Sequence, residues 1–253
     1  MIKLTLPKKP LKLTVEKERQ LTKEFIDSNK KKVVWKYKFL YEPVRLSSFS
    51  KCCYSEIYLN TKSTYLEIEH FCHKDAYPKQ VVEWGNLLPS CKKCNGTKGT
   101  TDTKKIALIN PYIDDPKEHL YFEYFRLYPK KGSLKGKNTI QNTALNDLKH
   151  FVEPRIKQTF LFSTQLNNFY INFIQDNELI SFTIQKRNIK INQLKGVLSD
   201  INRKKEFSAC IATTVFDSTD YQKIKDYLKL NNFWDQEFQD FENEINFCYL
   251  GKK

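Results

Sequence analysis

Alternating apolar and polar residues mark a short strand near the middle of the chain. The stretch TYLEIEH, residues 64 to 70, reads as a β-strand because side chains on a strand point to opposite faces in turn. It ends with an acid, Glu69, directly followed by a base, His70. Both can face one substrate only where the strand twists out of its sheet. We therefore expect the strand to end here and a loop that begins at Phe71 to form one wall of a functional site.

Helical spacing replaces this alternation in the C-terminal part. All nine prolines lie at or before Pro154 and five of the seven glycines at or before Gly136, so few chain breakers interrupt residues 155 to 253. This distribution predicts long helices there. Apolar residues that recur at helical intervals support it. They are Leu148, Phe151, Val152, Ile156 and Phe160 in one segment, and Leu194, Val197, Leu198 and Ile201 in another.

Two C-terminal segments need separate interpretation. Residues 168 to 187 fit either a helix or a hairpin that turns at Asp176 and Asn177. The tail FWDQEFQDFENEI predicts an amphipathic helix, which we expect to close the protein's own core rather than bind a partner. Its apolar face consists of Trp234, Phe238, Phe241 and Ile245.

These patterns predict an α+β fold with three regions. Residues 1–49 form a basic N-terminal segment. Residues 50–130, rich in Cys, Pro, Gly and Asn, form a compact core with functional loops. Residues 131–253 form a mainly helical C-terminal region.

A net charge of +14 favours a polyanionic partner such as nucleic acid. The first 40 residues hold twelve Lys or Arg against four acids. The alternative is that most of these lysines are simply solvated, so charge alone does not establish binding. No stretch approaches the roughly 20 uncharged apolar residues that span a bilayer, and the N-terminus lacks the apolar segment of a signal peptide. We expect a cytoplasmic protein without a membrane partner.

Five of the seven cysteines fall between Cys52 and Cys94. In a cytoplasmic chain such clustering indicates metal ligation more than disulfides. Cys210 and Cys248 stand apart in apolar surroundings and are predicted to be core residues.

One window carries the candidate chemistry. It contains KCCYSE from residue 51, EIEHF from residue 67 and EWGNLLPSCKKCNGTKG from residue 83. This window resembles an HNH endonuclease of the ββα-metal type in which asparagine replaces the last histidine, with His70, Asn86 and Asn95 at the signature positions. Together with NPYIDDPKEHLYF from residue 110, it is similar to the HNH subunit of Septu-type antiphage systems and their retron-associated relatives. The resemblance covers residues 50 to 150 well.

The chemistry of these side chains agrees with that resemblance. Hydrolysis of a phosphodiester needs an activated water and a cation that neutralises charge on the phosphate. A neutral His70 is the natural general base near pH 7. Glu69 and Asn95 offer the oxygen ligands that Mg²⁺ or Mn²⁺ takes. In the family pattern Asn86 braces the loop and orients the histidine.

Other polar residues near the window have weaker roles. Lys74 and Lys98 are close enough in sequence to contact phosphates as point charges. His73 is interpreted as a loop residue and His119 as a residue that fixes local structure.

The cysteine pattern departs from the family. Many HNH proteins hold a tetrahedral Zn²⁺ with two Cys-x-x-Cys pairs. Here Cys91 and Cys94 form the second pair, whereas Cys52 aligns with a serine, Ser55, in place of its partner. Cys53, or else Cys72 or His73, would be a substitute ligand. The alternative is that zinc is absent and that packing of Tyr54 and Trp84 holds these cysteine-containing segments, the knuckle, together.

The resemblance implies an effector of an antiphage complex with an ABC- or SMC-like ATPase partner. The chain itself has no GxxxxGK[ST] loop, so any ATP dependence would come from that partner. DNA is the favoured substrate and tRNA the other. We expect the isolated chain to be weakly active and its helical C-terminal half to dock the partner. A non-catalytic nucleic-acid-binding adaptor that retains the HNH scaffold is the alternative function.

Overall fold

A computed structural model describes residues 1–61 and 64–251, which form two compact units. The first unit comprises Met1–Asp147, and the second begins at Leu148. Within the described residues all named strands lie in the first unit, and the second contains helices. The α+β class predicted from the sequence is therefore confirmed.

The first unit combines helices with two small antiparallel sheets. Its helices are α1 (Val15–Asp27), α2 (Lys38–Leu46), α3 (Lys92–Lys98) and α4 (Leu134–Asn142). One sheet has the strand order β1 (Asn60–Thr61), β2 (Thr64–His70), β3 (Leu87–Cys91), and the other pairs β4 (Leu120–Glu123) with β5 (Arg126–Pro129). Short 3₁₀ turns lie at Pro78–Gln80, Trp84–Asn86 and Pro116–Glu118.

The basic N-terminal segment packs into the core of this unit. Helix α1 begins after Thr14, whose hydroxyl accepts a hydrogen bond from the Lys17 amide at 3.2 Å. Apolar side chains of α1 and α2 meet the inner face of the β2–β3 hairpin in one cluster. Its buried members are Leu13, Leu21, Phe25, Val34, Leu40, Val44, Ile68, Val81, Val82, Trp84 and Leu87. Residues 1–49 and the central region thus share one hydrophobic core.

The element that positions the site is the hairpin β2–β3 followed at once by α3. The two strands pair antiparallel, with Glu69 opposite Leu88 and His70 opposite Leu87. Helix α3 starts at the residue after β3 ends, and the thiol of Cys91 caps it by accepting from the Cys94 amide. This direct connection places α3 against β2.

The second unit is built from helices, as the scarcity of proline and glycine predicts. They are α5 (Glu153–Phe169), α6 (Glu178–Ser181), α7 (Ile184–Ser199), α8 (Ser208–Phe216), α9 (Thr219–Leu230) and α10 (Gln236–Cys248), with π-helical turns at Leu148–Val152 and Tyr170–Ile174. The hairpin alternative for residues 168–187 is wrong. Asn177 takes a left-handed conformation (φ 57°) between two helical segments rather than turning a hairpin.

Helix α10 packs inside the second unit as expected. Phe238 and Ile245 are both fully buried, and Trp234 stacks on Phe238 with ring centroids 5.1 Å apart. The apolar face of the tail therefore closes the protein's own core.

Candidate active site

Strand β2 brings two carboxylates to one face and α3 lies over them. Glu67 and Glu69 are two residues apart on the strand, so their side chains point the same way. Asn95 and Lys98 are three apart on α3 and share its face toward β2. The Asn95 amide nitrogen donates to Glu67 Oε2 at 2.7 Å, and Lys98 Nζ lies 2.5 Å from Glu69 Oε1.

Glu67 is a site residue that the motif analysis missed. Strand alternation contains the signal, since any residue two before Glu69 shares its face. The amide nitrogen of Asn95 is bonded to this Glu67 rather than to Glu69. A carboxylate accepts, so the amide nitrogen faces Glu67 and the amide oxygen Oδ1 remains available as an acceptor.

His70 sits on the opposite face of the strand end in a defined tautomer. Its Nε2 lies 2.9 Å from the carbonyl oxygen of Val81. A carbonyl only accepts, so Nε2 carries the proton and Nδ1 keeps its lone pair. The ring meets Trp35 edge to face, with centroids 4.8 Å apart. Burial lowers the pKa of His70 to about 3, so the imidazole is neutral at pH 7.

A cavity of about 450 Å³ unites these groups. Glu67, Glu69, His70 and Asn95 all line it, although strand alternation alone would separate the carboxylates from the histidine. The other lining residues are Trp35, Lys36, Tyr65, Leu66, Ile68, His73, Lys74 and Gly99. Lys74, predicted to contact phosphate, therefore lies at the cavity, and so does His73.

Lys98 does not occupy the place expected of a phosphate ligand. It is 1% exposed, and besides the ion pair with Glu69 its ammonium donates to the carbonyl oxygen of His70 at 3.0 Å. An ammonium held in these two buried contacts ties α3 to the end of β2 and is not presented to substrate. Burial raises the pKa of Glu69 to about 7, and the charge of Lys98 opposes this rise.

Replacing Lys98 by methionine should lower the free energy of unfolding by about 1–3 kcal/mol at pH 7, because the Glu69 carboxyl and the His70 carbonyl lose their buried donor, while Glu69 without its cation is protonated. Urea unfolding without a chelator measures this loss. Lys93→Met on the same helix is the matched control, since Lys93 makes a partly exposed pair with Asp147 and its loss should cost about 0–1 kcal/mol. Equal losses for the two variants would contradict the assignment of the buried pair as a structural contact.

Asn86 lies outside the cavity and brackets the loop after His70. Its Oδ1 accepts from the Cys72 amide at 2.7 Å, and its Nδ2 donates to the carbonyl oxygens of Cys72 at 3.1 Å and Gln80 at 3.0 Å. Its own carbonyl accepts from the Phe71 amide at 2.9 Å. These four bonds fix the segment that follows the histidine.

His119 also makes a local contact. Its Nδ1 lies 3.0 Å from the hydroxyl of Ser133, which caps α4. The ring is thus part of the α4 start and away from the cavity lining.

A cluster of three cysteines joins the segment before β1 to the end of β3 and the start of α3. The thiol sulfurs of Cys52, Cys91 and Cys94 are all buried and lie within 4.8 Å of one another. Two serines lie beside this cluster: Ser55 Oγ is 3.8 Å from Cys91 Sγ and its amide donates to Cys52 Sγ at 3.5 Å, and Ser90 Oγ is 3.8 Å from Cys52 Sγ. Burial raises the pKa of Cys94, so this thiol needs a nearby cation to ionise.

The remaining candidate zinc ligands, Cys53, Cys72 and His73, lie outside this group of three thiols. Cys72 accepts a bond from the hydroxyl of Thr103 at 3.6 Å, and His73 lines the cavity. Cys53 is buried beside the cluster but outside the group of three. Among the described residues, the three clustered thiols are the group of three or more His, Cys, Asp or Glu side chains that lie close enough together to hold one metal ion, and sulfur donors suit zinc.

The cavity has a donor set of a different kind. Two carboxylates and the Oδ1 of Asn95 are hard oxygen donors, which suit Mg²⁺ or Mn²⁺ rather than zinc. The residues present therefore fit a hard divalent cation next to a neutral histidine.

Comparisons with known proteins identify two relatives. A protein named Septu protein PtuB from Bacillus thuringiensis is 36% identical over 242 residues, which cover 94% of this chain and 91% of the relative. A second protein of the same name, from Bacillus mycoides (strain KBAB4), is 33% identical over 138 residues, 42% of this chain and 46% of the relative. No family model matches the chain. Across the described residues, no helix combines the length and apolar character that a membrane span requires.

Proposed function

The chain belongs to the PtuB family of Septu proteins, and on that premise we propose that it is a metal-dependent HNH endonuclease, the effector subunit of an antiphage defence complex. The observation that carries the proposal is the convergence of Glu69, His70 and Asn95 on one cavity, with the histidine neutral. In this interpretation β2, β3 and α3 are the two strands and the helix of a ββα-metal core.

His70 is the general base of the reaction. Its Nδ1 takes a proton from the water whose oxygen attacks phosphorus, while Nε2 stays bonded to the Val81 carbonyl. The new P–O bond displaces the leaving oxygen of the nucleotide, which takes a proton from solvent. A phosphate anion beside the ring favours the imidazolium, so the basicity of His70 rises when substrate is bound.

Oxygen ligands on the other side of the cavity would hold the Mg²⁺ or Mn²⁺. When bound, the cation supplies charge that stabilises the phosphate and the leaving oxygen. Glu69 and Asn95 are the proposed ligands. Glu67 fixes the Asn95 amide through its 2.7 Å bond, so that Oδ1 would be free to bind the cation. Asn86 holds the loop that follows the histidine.

The cysteine cluster would hold a structural zinc. Cys52, Cys91 and Cys94 provide three thiolates, and the Ser55 hydroxyl stands where a fourth ligand belongs. Such an ion joins the segment before β1 to the start of α3 and so stabilises the helix that carries Asn95.

A companion ATPase is the proposed partner. The absence of a phosphate-binding GxxxxGK[ST] loop from this sequence assigns ATP hydrolysis to another chain. We assign the docking surface for the ATPase to the helical unit that begins at Leu148, because the proposed catalytic residues all lie in the first unit. The isolated chain is then weakly active, and assembly raises its activity.

Cleavage should require a divalent cation and Asn95. The purified chain, with and without the companion ATPase, is incubated with supercoiled DNA or bulk tRNA. We expect cleavage in Mg²⁺ or Mn²⁺ and none in EDTA. Asn95→Ala removes one oxygen ligand and should lower the rate at least about 10-fold.

Gln141→Ala is the control, since Gln141 is an exposed residue of α4 in the first unit and lies outside the cavity lining. Cleavage of neither polymer, even with the ATPase, would overturn the nuclease assignment and favour a non-catalytic adaptor. Metal-independent cleavage, or equal rates for Asn95→Ala and the wild type, would reject the proposed ligand set.

A further inference from the structure

The rim of the cavity combines cations with aromatic rings. We define the cavity mouth as Trp35, Lys36, Tyr65 and Lys74, all of which line the cavity. Trp35 and Lys36 come from the loop between α1 and α2, Tyr65 from β2, and Lys74 from the loop after β2. Basic groups thus surround an acidic floor of Glu67 and Glu69.

The lysines of the mouth differ from their neighbours in what they contact. Five lysines lie between residues 30 and 38, and two of them are engaged elsewhere. Lys30 donates to the Asp75 carbonyl at 2.6 Å, and Lys32 pairs with Glu24 at 2.9 Å. Lys36 is exposed and borders the cavity. Lys74 is partly exposed; its ammonium lies 3.8 Å from the half-exposed Asp75 carboxylate and 5.7 Å from the Trp35 ring centroid, weak contacts that leave it able to meet a phosphate beside that ring.

The aromatic rings stand within reach of the reacting group. The Trp35 ring centroid is 4.8 Å from that of His70, so the ring borders the place where the proposed general base would meet the substrate. A base next to the reacting phosphate would lie beside Trp35. Tyr65, on the strand that carries Glu69, is 54% exposed, so its ring is accessible to a base.

We propose that the cavity mouth binds an unpaired nucleic-acid strand, with phosphates on Lys36 and Lys74 and bases packed against Tyr65 and Trp35. Aromatic side chains bind single strands by stacking on bases, which in a duplex are already stacked on their neighbours. The volume of about 450 Å³ suits one or two nucleotides, since pockets of about 300–1,000 Å³ enclose one small ligand. This inference rests on the proposed nuclease function and names the form of its substrate.

Binding without cleavage tests the inference. The full-length His70→Ala chain, without added Mg²⁺ or Mn²⁺ and without a chelator, is titrated into fluorescein-labelled 20-nucleotide single strands of DNA and RNA, and into the matching duplexes, with anisotropy as the readout. We expect single strands to bind at least about 10-fold more tightly than duplexes. Tyr65→Ala should weaken single-strand binding at least about 5-fold, and Tyr65→Phe should restore it, because a phenyl ring also stacks.

Lysine variants test the phosphate contacts. Lys36→Ala and Lys74→Ala should each weaken binding and lower the slope of log affinity against log salt by about 0.7. Lys38→Ala and Tyr124→Ala are the controls, since both residues are exposed and lie outside the cavity lining. The difference in affinity between the DNA and RNA single strands shows which of the two polymers the cavity mouth prefers.

Equal affinity for duplex and single strand, or equal losses for the mouth variants and the controls, would overturn the inference. Binding is measured without added Mg²⁺ or Mn²⁺ and without His70, so its outcome is separate from that of the cleavage assay. A chain that cleaves nucleic acid but shows no effect of the mouth variants refutes this inference alone. A chain that binds single strands through the mouth but never cleaves refutes the nuclease alone.

Discussion

The His70→Ala variant is expected to cleave nucleic acid about 10²–10⁴-fold more slowly than the wild type, because it removes the proposed general base. The wild-type ring is held in one tautomer by the 2.9 Å bond from Nε2 to Val81, which leaves Nδ1 for the proton of the attacking water. Its neutrality at pH 7 follows from burial. Single-turnover cleavage with Mg²⁺ and the companion ATPase measures the chemical step directly.

His73→Ala is the matched control. His73 lines the same cavity but lies in the loop, where its Nε2 is 3.7 Å from the half-exposed carboxylate of Asp75. We expect its rate within about 10-fold of the wild type, below the range of a lost general base. Binding of labelled oligonucleotide without added Mg²⁺ or Mn²⁺ should be similar for both variants. A His70→Ala rate near that of the wild type would remove the histidine from the mechanism, and a large loss in His73→Ala would transfer the role to that residue.

The sequence predicts which residues meet at the cavity better than it predicts their contacts. Glu69, His70 and Asn95 follow from one short window, and the structure places all three at one cavity. Their partners do not follow from it. Whether Asn95 meets Glu67 or Glu69 depends on the offset of α3 along β2, which is a tertiary property. The burial of Lys98 depends on the same packing, and so a lysine expected at substrate serves as a counter-ion instead.

The contacts that fix the loop after His70 are also not predictable from the sequence. The resemblance implies a bracing role for Asn86, but its bonds go to backbone groups of Cys72 and Gln80. Backbone acceptors carry no residue signature, so no pattern of residue types predicts them. The tautomer of His70 likewise depends on a carbonyl eleven residues away.

Long-range packing also limits what composition says of the fold. The scarcity of proline and glycine after Pro154 was sufficient to predict helices, because those residues act locally. Residues 168–187 were ambiguous, because apolar positions in a short segment suit both a helix and a strand. The charge of residues 1–49 marks them as a basic segment but does not predict that they contribute to the core. Leu21 and Phe25 of α1 are nevertheless fully buried in the core of the first unit.

Loss of Cys94 should have the largest effect on stability. If Cys52, Cys91 and Cys94 bind zinc as thiolates, the free energy of metal binding is part of the free energy of folding. Cys94→Ala should then reduce zinc from about one ion to below about 0.2 per chain and lower the free energy of unfolding of the first unit by about 4–5 kcal/mol or more. Elemental analysis after chelator-free purification gives the zinc content. Urea unfolding in a Trp234→Phe background follows the first unit, because only Trp35 and Trp84 remain.

Cys53→Ala separates metal binding from packing. Cys53 is 3% exposed, like its neighbours, but stands outside the group of three, so its loss should leave zinc in place and cost only about 0.5–3 kcal/mol.

Ser55→Cys tests the site by adding a ligand, because a fourth thiolate near the present Oγ, 3.8 Å from Cys91 Sγ, should slow the loss of zinc to a chelator. Wild-type protein with less than about 0.2 zinc per chain would reject the metal and leave packing to hold the knuckle. Loss of zinc from Cys53→Ala would show instead that Cys53, and not Ser55, completes the site.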